Sequence, residues 1–498
     1  MFATDEIVTE DLPILLLQSS HDLTSRLEEI APIQISPSHT VERLVQATAI
    51  TGIVALVSVF LFDWVYGLRV KHTHAKARPP SGKEIALLAG LAAMEWFLTD
   101  QFLPSIPDMA REFQVEEASI GVTLQVHQAA SGLATLLVAP LSDRVGRKPV
   151  ILAAAVLLVI STLCAGCAAS YSWFLVGRAL QGIAQTGNPV IIALVWDCYE
   201  DEEERKGAMA IFAAVALLGP TLAPAIGGLL ASAFGWRFSF LAAVPILIFI
   251  GFGLLGWLKE TVPEDSGQDL LIAARRVMGD PRRSLMLLWN GVFIACLTMQ
   301  GASHSTNLEE TYGLSVTHAA FVISSMPIPA ALGAIAGNLS GLKIRQLYFA
   351  MFPMLLLVAG LDIVISFFFV QSVIWYVAAA YFFAPWAINI AISINAEFPE
   401  GMEDIKGAAS CFFQTAPMVA ASVLTFPGLA AVSRYGVRGT LWSTASYLGL
   451  LALGTLVLAL THKGDMAESA VETKAHEESP DAKSPKEPES PKEAKSAK

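Results

Sequence analysis

The sequence predicts an all-α integral membrane protein, two bundles of six helices preceded by one extra helix. Three observations carry that expectation. Of 498 residues, 54% are hydrophobic and 15% charged, with a mean hydropathy of +0.55; soluble proteins are about 45–50% apolar and about 25% charged. Apolar stretches of 18 or more residues, each a candidate membrane helix, recur along the chain. Two loop sequences repeat at an offset of 200 residues. The apolar balance excludes a disordered chain. The net charge of −12 and the lack of a basic reading face exclude a nucleic-acid binder. The five cysteines (164, 167, 198, 296, 411) are an odd count, four of them in or beside apolar runs, so no disulfide framework is expected.

Residues 1–43 form an acidic polar tail without the basic start of a secretory signal. The extra helix covers 44–68, uncharged over 44–62. A basic loop follows at 69–84. The first six-helix bundle fills 85–258, with segments at 85–106, 119–141, 149–169, 172–196, 208–232 and 237–258. A central loop at 259–284 separates it from the second bundle, 285–461. There the segments are 285–304, 318–340, 346–369, 372–395, 407–432 and 438–461. These lengths suit tilted helices, whereas strands of a membrane barrel would be half as long. The tail at 462–498 ends in SPDAKSPKEPESPKEAKSAK, too poor in large apolar residues to fold.

One set of alternating loops holds 18 Lys and Arg residues; the other holds Arg111, Arg237, Arg434 and Arg438. The basic set is cytoplasmic by the positive-inside rule. The C-terminus then lies inside; the extra helix either spans and places the N-terminal tail outside, or lies in the interface or is cleaved. DCYEDEEERKGA (197–208) matches EFPEGMEDIKGA (397–408) in its acids and its Lys-Gly-Ala. LSDRVGR (141–147) and LSGLKIR (339–345) echo each other at offset 198. Two echoes at nearly one offset argue for homologous halves, as in one large class of secondary transporters.

In the cytoplasmic loop APLSDRVGRKPV (139–150), Asp143 can cap the next helix or pair with Arg147. Arg144 and Lys148 hold the loop inside, and Gly146 permits a tight turn. The loop is either a conformational latch or a set of topology-enforcing charges. It resembles the signature loop of the major facilitator superfamily, G-x-L-(A/S)-D-R-x-G-R-(R/K), with Ala139 in place of the first glycine. LVGRALQG (175–182) is similar to that family's fourth-helix motif, through Arg178, Gln181 and Gly182. GPTLAPAIGG (219–228) and GWRFSF (235–240) resemble the fifth-helix motif of its drug:proton antiporters and the run after it. TDQFLPSIP (99–107) resembles the first-helix motif of bicyclomycin-type multidrug exporters. Residues 99–240 carry the resemblance closely; the C-terminal half matches loosely, through YGLS (312–315) and KGAAS (406–410).

Ionisable side chains are costly inside a membrane and mark functional candidates. Here they are Glu95, Asp100, His127, Arg178 and Asp362. Arg178, Gln181, Gln185 and Asn188 are spaced three, four and three, one face of a helix, which should line a cavity. Gln185 and Asn188 replace the small residues usual in the family, implying a more polar cavity. Asp100 matches the family's first-helix carboxylate. Desolvation favours the protonated form of a carboxyl, so Asp100 is the candidate proton carrier; a permanent Asp100–Arg178 ion pair is the alternative. Glu95, about 140° round the helix, is a second carrier or a capped polar residue. His127 is a cavity residue or a satisfied core histidine. Gly219, Pro220, Pro224, Gly227 and Gly228 should break one helix twice, giving either flexibility or close packing. Trp96, Phe97 and Phe102 are candidates for stacking on a substrate. Asn389 and Asn395 bind substrate or link helices, the Cys164/Cys167 pair reads as small-residue packing, and Asp362 falls on a helix usually peripheral in the family's fold.

No nucleotide loop, GxSxG or HExxH motif is present, so neither an ATP-driven pump nor an enzyme is expected. Together with the resemblance, these residues imply proton-coupled export of small organic, drug-like compounds. The expected partners are a small-molecule substrate and the bilayer, with no nucleic acid. The chain is read as a monomer with no cofactor beyond the proton gradient and no metal. The plasma membrane is favoured over an organellar one. The rival readings are a facilitator or symporter, and a non-transporting receptor on the same scaffold.

Overall fold

The computed structural model describes residues 79–199, 201–259, 270–398, 402 and 406–462. The tails at 1–43 and 463–498, the expected helix at 44–68 and most of the loop at 69–84 lie outside the described residues. Among the described residues there are helices and no strand.

The first span comprises α1 (Gly82–Asp100), a 3₁₀ turn (Leu103–Ser105) and α2 (Ile106–Phe113). The second is α3 (Glu117–Val145) and the third α4 (Arg147–Gly166). α5 (Tyr171–Ala184) and α6 (Gly187–Cys198) make the fourth. The fifth is α7 (Glu202–Phe234); α8 (Trp236–Leu241) and α9 (Val244–Trp257) form the sixth. After α10 (Leu270–Gly279) comes the second set. α11 (Pro281–Thr306) runs into a π turn (Asn307–Thr311), and α12 (Val316–Ser325) pairs with α13 (Pro327–Leu339). α14 (Ile344–Val364) ends in a π turn (Ile365–Phe369), followed by α15 (Val373–Glu397), α16 (Lys406–Tyr435) and α17 (Val437–Thr461).

Ten of these spans are long and apolar enough to cross a membrane. The second and fourth are not among the ten. α3 carries Gln125, His127 and Gln128 across its middle, and the fourth is interrupted at Gln185 and Thr186. Outward-facing apolar side chains such as Leu357, Phe368 and Val423 are exposed as lipid contact requires.

Local chemistry sets the helix starts. Ser81 and Glu84 close a capping box on α1. Asp201 accepts from the Glu203 and Glu204 N–H groups at 2.9 Å each to start α7. Asp280 caps α11 ahead of Pro281. Pro104 has no N–H to offer the Asp100 carbonyl, so the first span's ladder fails there. Its last regular bond runs from the Gln101 N–H to the Phe97 carbonyl, 3.0 Å.

Three expectations change. α7 runs unbroken through Pro220 and Pro224, because a membrane bundle tolerates proline within a helix. The fourth span, read as one continuous face, is two helices. The stretch at 259–284, read as loop, contains α10, which buries Ala273 and Val277 and exposes Arg275 and Arg276.

The two halves meet through α3 against α16 and through α7 against α12. The 3₁₀ turn of the first span also touches α11 and α12. α7 packs on α12, the first half of the eighth span. Between the ends that the charge rule places outside lies a cavity of about 550 Å³ lined by Arg111, Glu117, Asn307, Glu310 and Ser433 among others.

Candidate functional site

The break in the first span organises the site. Beyond Phe97, the Leu98 and Thr99 carbonyls have no helical donor, and Arg178 of α5 supplies one. Its Nη1 donates to the Leu98 carbonyl at 2.9 Å and its Nη2 to the Thr99 carbonyl at 3.2 Å. Nη1 also donates to Gln181 Oε1 at 2.7 Å. Gln181 is held in turn by its own donation to Thr162 Oγ1, 3.2 Å. The guanidinium lies 4.6 Å from the centre of the Phe102 ring, a cation–π contact. A planar fork can cap two successive carbonyls at once. Arg178 and Gln181 are fully buried; they brace helices and do not face open space.

Asp100 is the last residue of α1 and is half-buried. Arg178 is within electrostatic range of it. Among the described residues, no hydrogen bond or ion pair engages its carboxylate. The arginine donors go to backbone and amide oxygens, so the permanent Asp100–Arg178 ion pair is not formed here.

His127 is 2% exposed, with both ring nitrogens engaged. Nδ1 faces the Arg178 carbonyl at 3.3 Å, which can only accept, so Nδ1 carries the proton. Nε2 lies 3.2 Å from Thr99 Oγ1 and 3.1 Å from the Gln185 amide. His127 therefore ties the first, second and fourth spans together.

Glu95 is 2% exposed, and neither carboxyl oxygen has a partner. It sits at the interruption of the fourth span, where a Cβ on Gly187 would come within 2.8 Å of Oε1. Gln185 Nε2 and Asn188 Oδ1, from the same interruption, are also unpartnered. The structure thus brings Glu95, His127, Gln185 and Asn188 to one side of the first span and leaves Asp100 on another.

α7 supports this arrangement through its glycines. A Cβ at Gly219 would overlap the Ala93 carbonyl oxygen, and one at Gly227 the Gln101 carbonyl oxygen. The small-residue motif therefore brings the fifth span against the backbone of the first. Phe102 stacks on no substrate: it is fully buried against Phe174 and Phe240.

In the loop that the charge rule places inside, Gly146 has φ +108°, a conformation that favours glycine, and turns α3 into α4. Arg147 Nη1 donates to Ser142 Oγ at 2.9 Å, and Lys148 Nζ to the Leu255 carbonyl at 3.1 Å. The side chains of Asp143 and Arg144 lie outside the described residues.

Sequence reading missed other polar elements. Glu112 accepts from Trp236 Nε1 at 2.6 Å and pairs with Arg237, clasping the sixth span to the first. Glu397 gathers Arg282 at 2.5 Å, Tyr348 at 3.1 Å and His462 at 3.2 Å at the inner ends of four helices. Asp362, expected on a peripheral helix, is fully buried with both oxygens unpartnered. Asn389 donates to the Gly333 and Pro385 carbonyls and so links the eighth and tenth spans. Glu112 lies just before a loop and Glu397 in the repeat sequence; those were the signals available. Among the described residues no cluster of His, Cys, Asp and Glu could hold a metal ion.

Comparison with known proteins agrees with this architecture. A family model described as the Major Facilitator Superfamily matches residues 85–425. Multidrug resistance protein D of Escherichia coli is 28% identical over 249 residues, 50% of this chain and 63% of its own length. Multidrug resistance protein MdtL of Salmonella dublin is 30% identical over 164 residues, 33% of this chain and 42% of its own. The matches thus span less than two thirds of either relative. Among solved structures, a bacterial homolog of the human lysosomal transporter Spinster, in an inward-facing and occupied conformation, superposes with a TM-score of 0.59. It is 14% identical and covers 76% of this chain and 97% of its own. A point mutant of the nucleoside transporter NupG gives 0.59 at 15% identity, covering 76% of this chain and 97% of its own.

Proposed function

We propose that this chain, which belongs to the Major Facilitator Superfamily, exports small organic compounds by exchange for protons, with Asp100 as the exchanging carboxyl. It is a multi-pass membrane protein and not an enzyme; the plasma membrane is the natural site for an exporter. One observation carries the reading. Asp100 is half-buried at the break of the first span and free of the salt bridge that its arginine neighbour would offer. A carboxyl so placed can gain and lose a proton as the cavity changes its exposure.

The other residues then take distinct parts. Arg178 and Gln181 hold the broken helix in register and keep a positive field beside Asp100. His127, Gln185 and Asn188 form the wall between the first and fourth spans. Glu95, sealed from solvent, is a second proton-binding carboxyl reached only when that wall opens. The Gly146 turn and the Arg147 and Lys148 contacts steady the inner ends of the second, third and sixth spans. α7, packed glycine to backbone on the first span, carries that span's movement to α12. The likeness to two multidrug resistance proteins supports a drug-like cargo.

The test uses vesicles carrying a pH gradient reported by an entrapped dye. Adding a transported compound should dissipate the gradient with wild type and not with Asp100→Asn. Compound movement that leaves the gradient untouched would favour a facilitator.

A further inference from the structure

On α3, Gly121, Gln125, Gln128 and Gly132 recur at spacings of four, three and four and share one face. That face meets the C-terminal half. Gly121 lies against Ala302 and Leu429, and Gly132 against Val419 and Thr415. Gln128 Nε2 donates to Thr298 Oγ1 of α11 at 2.7 Å. Gln125 is therefore enclosed between the halves, midway along this contact. It is 2% exposed, and neither its amide oxygen nor its nitrogen has a partner. Gln128 Oε1 is unpartnered as well. So are both amide atoms of fully buried Gln101, next to Asp100.

Buried polar groups are nearly always hydrogen-bonded, and each exception needs an explanation. Charge does not supply one here. The Arg178 guanidinium gives Nη1 and Nη2 to two carbonyls and an amide and lies on the Phe102 ring; its Nε is unpartnered, but the fully buried side chain offers no open cationic face. Phe102, Phe174 and Phe240 pack on one another and offer no stacking face. On the face of α3 that meets the C-terminal half, what remains unsatisfied are the neutral carboxamides of Gln125 and Gln128, groups able to donate and accept.

We infer that the transported compound is an uncharged polar molecule bearing amide or hydroxyl groups, and that Gln125 sets this preference from between the halves. The inference rests on the transport reading above. A neutral compound cannot expel the Asp100 proton by charge; its exchange is coupled through closure of the halves around Gln125. Lipophilic cations gain little from amide donors.

The test is equilibrium binding to the full chain in lipid nanodiscs, with two labelled probes. One is N-acetylglycylglycinamide, neutral and blocked at both ends; the other is tetraphenylphosphonium. Wild type should bind the blocked peptide amide more tightly. Gln125→Leu should weaken that probe at least tenfold and leave the cation unchanged. If Gln125→Leu does not fold, Gln128→Leu should shift the same preference, and the wild-type ranking needs no variant. Tighter binding of the cation by wild type overturns the inference. So does an unchanged peptide-amide affinity in a folded Gln125→Leu protein, which would mean that only water fills the site. Binding of the peptide amide without movement of either probe across vesicles would sink the transport reading and leave the binding inference standing.

Discussion

Replacing Arg178 with methionine separates a structural role for this residue from a role in proton exchange. Methionine keeps an unbranched apolar stem but is two atoms shorter and donates nothing. The substitution removes donors 2.9 and 3.2 Å from the Leu98 and Thr99 carbonyls and 2.7 Å from Gln181. Each bond to a charged donor contributes about 1.5–3 kcal/mol, and a buried acceptor left unmade is costly. Removing the guanidinium also relieves its own desolvation, several kcal/mol per buried ion. The net loss should be about 3–5 kcal/mol. At about 2–4 °C per kcal/mol for a body the size of the first six-helix bundle, thermal unfolding of that bundle should begin about 6–20 °C lower. Tryptophan emission of the purified protein, which has ten tryptophans, reads this directly. Arg178→Lys should fall between the two, because an ammonium cannot fork onto two carbonyls. Wild-type stability in Arg178→Met would refute the bracing argument and return the residue to a purely functional role.

Four further outcomes follow from the packing. Gly227→Val, which would drive a side chain into the Gln101 carbonyl, should destabilise by about 1–3 kcal/mol. Gly251→Ala, with nothing within 4 Å, should stay within about 0.5 kcal/mol of wild type in the same unfolding assay. Gln128→Leu removes a bond between the halves. It should speed maleimide labelling of Ser433→Cys in the outer cavity by about two- to tenfold, as the loss of about 0.5–1.5 kcal/mol implies. Glu397→Ala strands the partly buried Arg282 and should cost about 3 kcal/mol, read as faster proteolysis at the inner ends of the C-terminal half.

The spans were legible because a bilayer demands long apolar helices. Gly146 was legible because a helix-to-helix turn with positive φ favours glycine. The role of Arg178 was only half so. Its spacing from Gln181 put the two on one face, and they do bond. Its main partners, however, are backbone carbonyls of residues 98 and 99, about eighty positions away, and any residue type supplies a carbonyl. Pro220 and Pro224 misled for a related reason: the neighbours that let α7 continue through them are distant in sequence. The orphaned atoms of Gln125 were invisible, since a glutamine in an apolar run looks the same whether satisfied or not. Asp362 looked peripheral by likeness to a fold, yet side-chain burial in α14 is a property of this chain's own packing.

The measurement that tests the account most directly is compound flux into reconstituted vesicles under an imposed pH gradient, wild type against Asp100→Asn. Wild type should accumulate compound against its gradient when protons run the opposite way and stop when ΔpH is collapsed. Asp100→Asn, folded to the same unfolding temperature, should move compound only downhill and ignore ΔpH. Accumulation by Asp100→Asn that still follows ΔpH would contradict the assignment of Asp100 and shift proton exchange to another carboxyl, with Glu95 the first to examine.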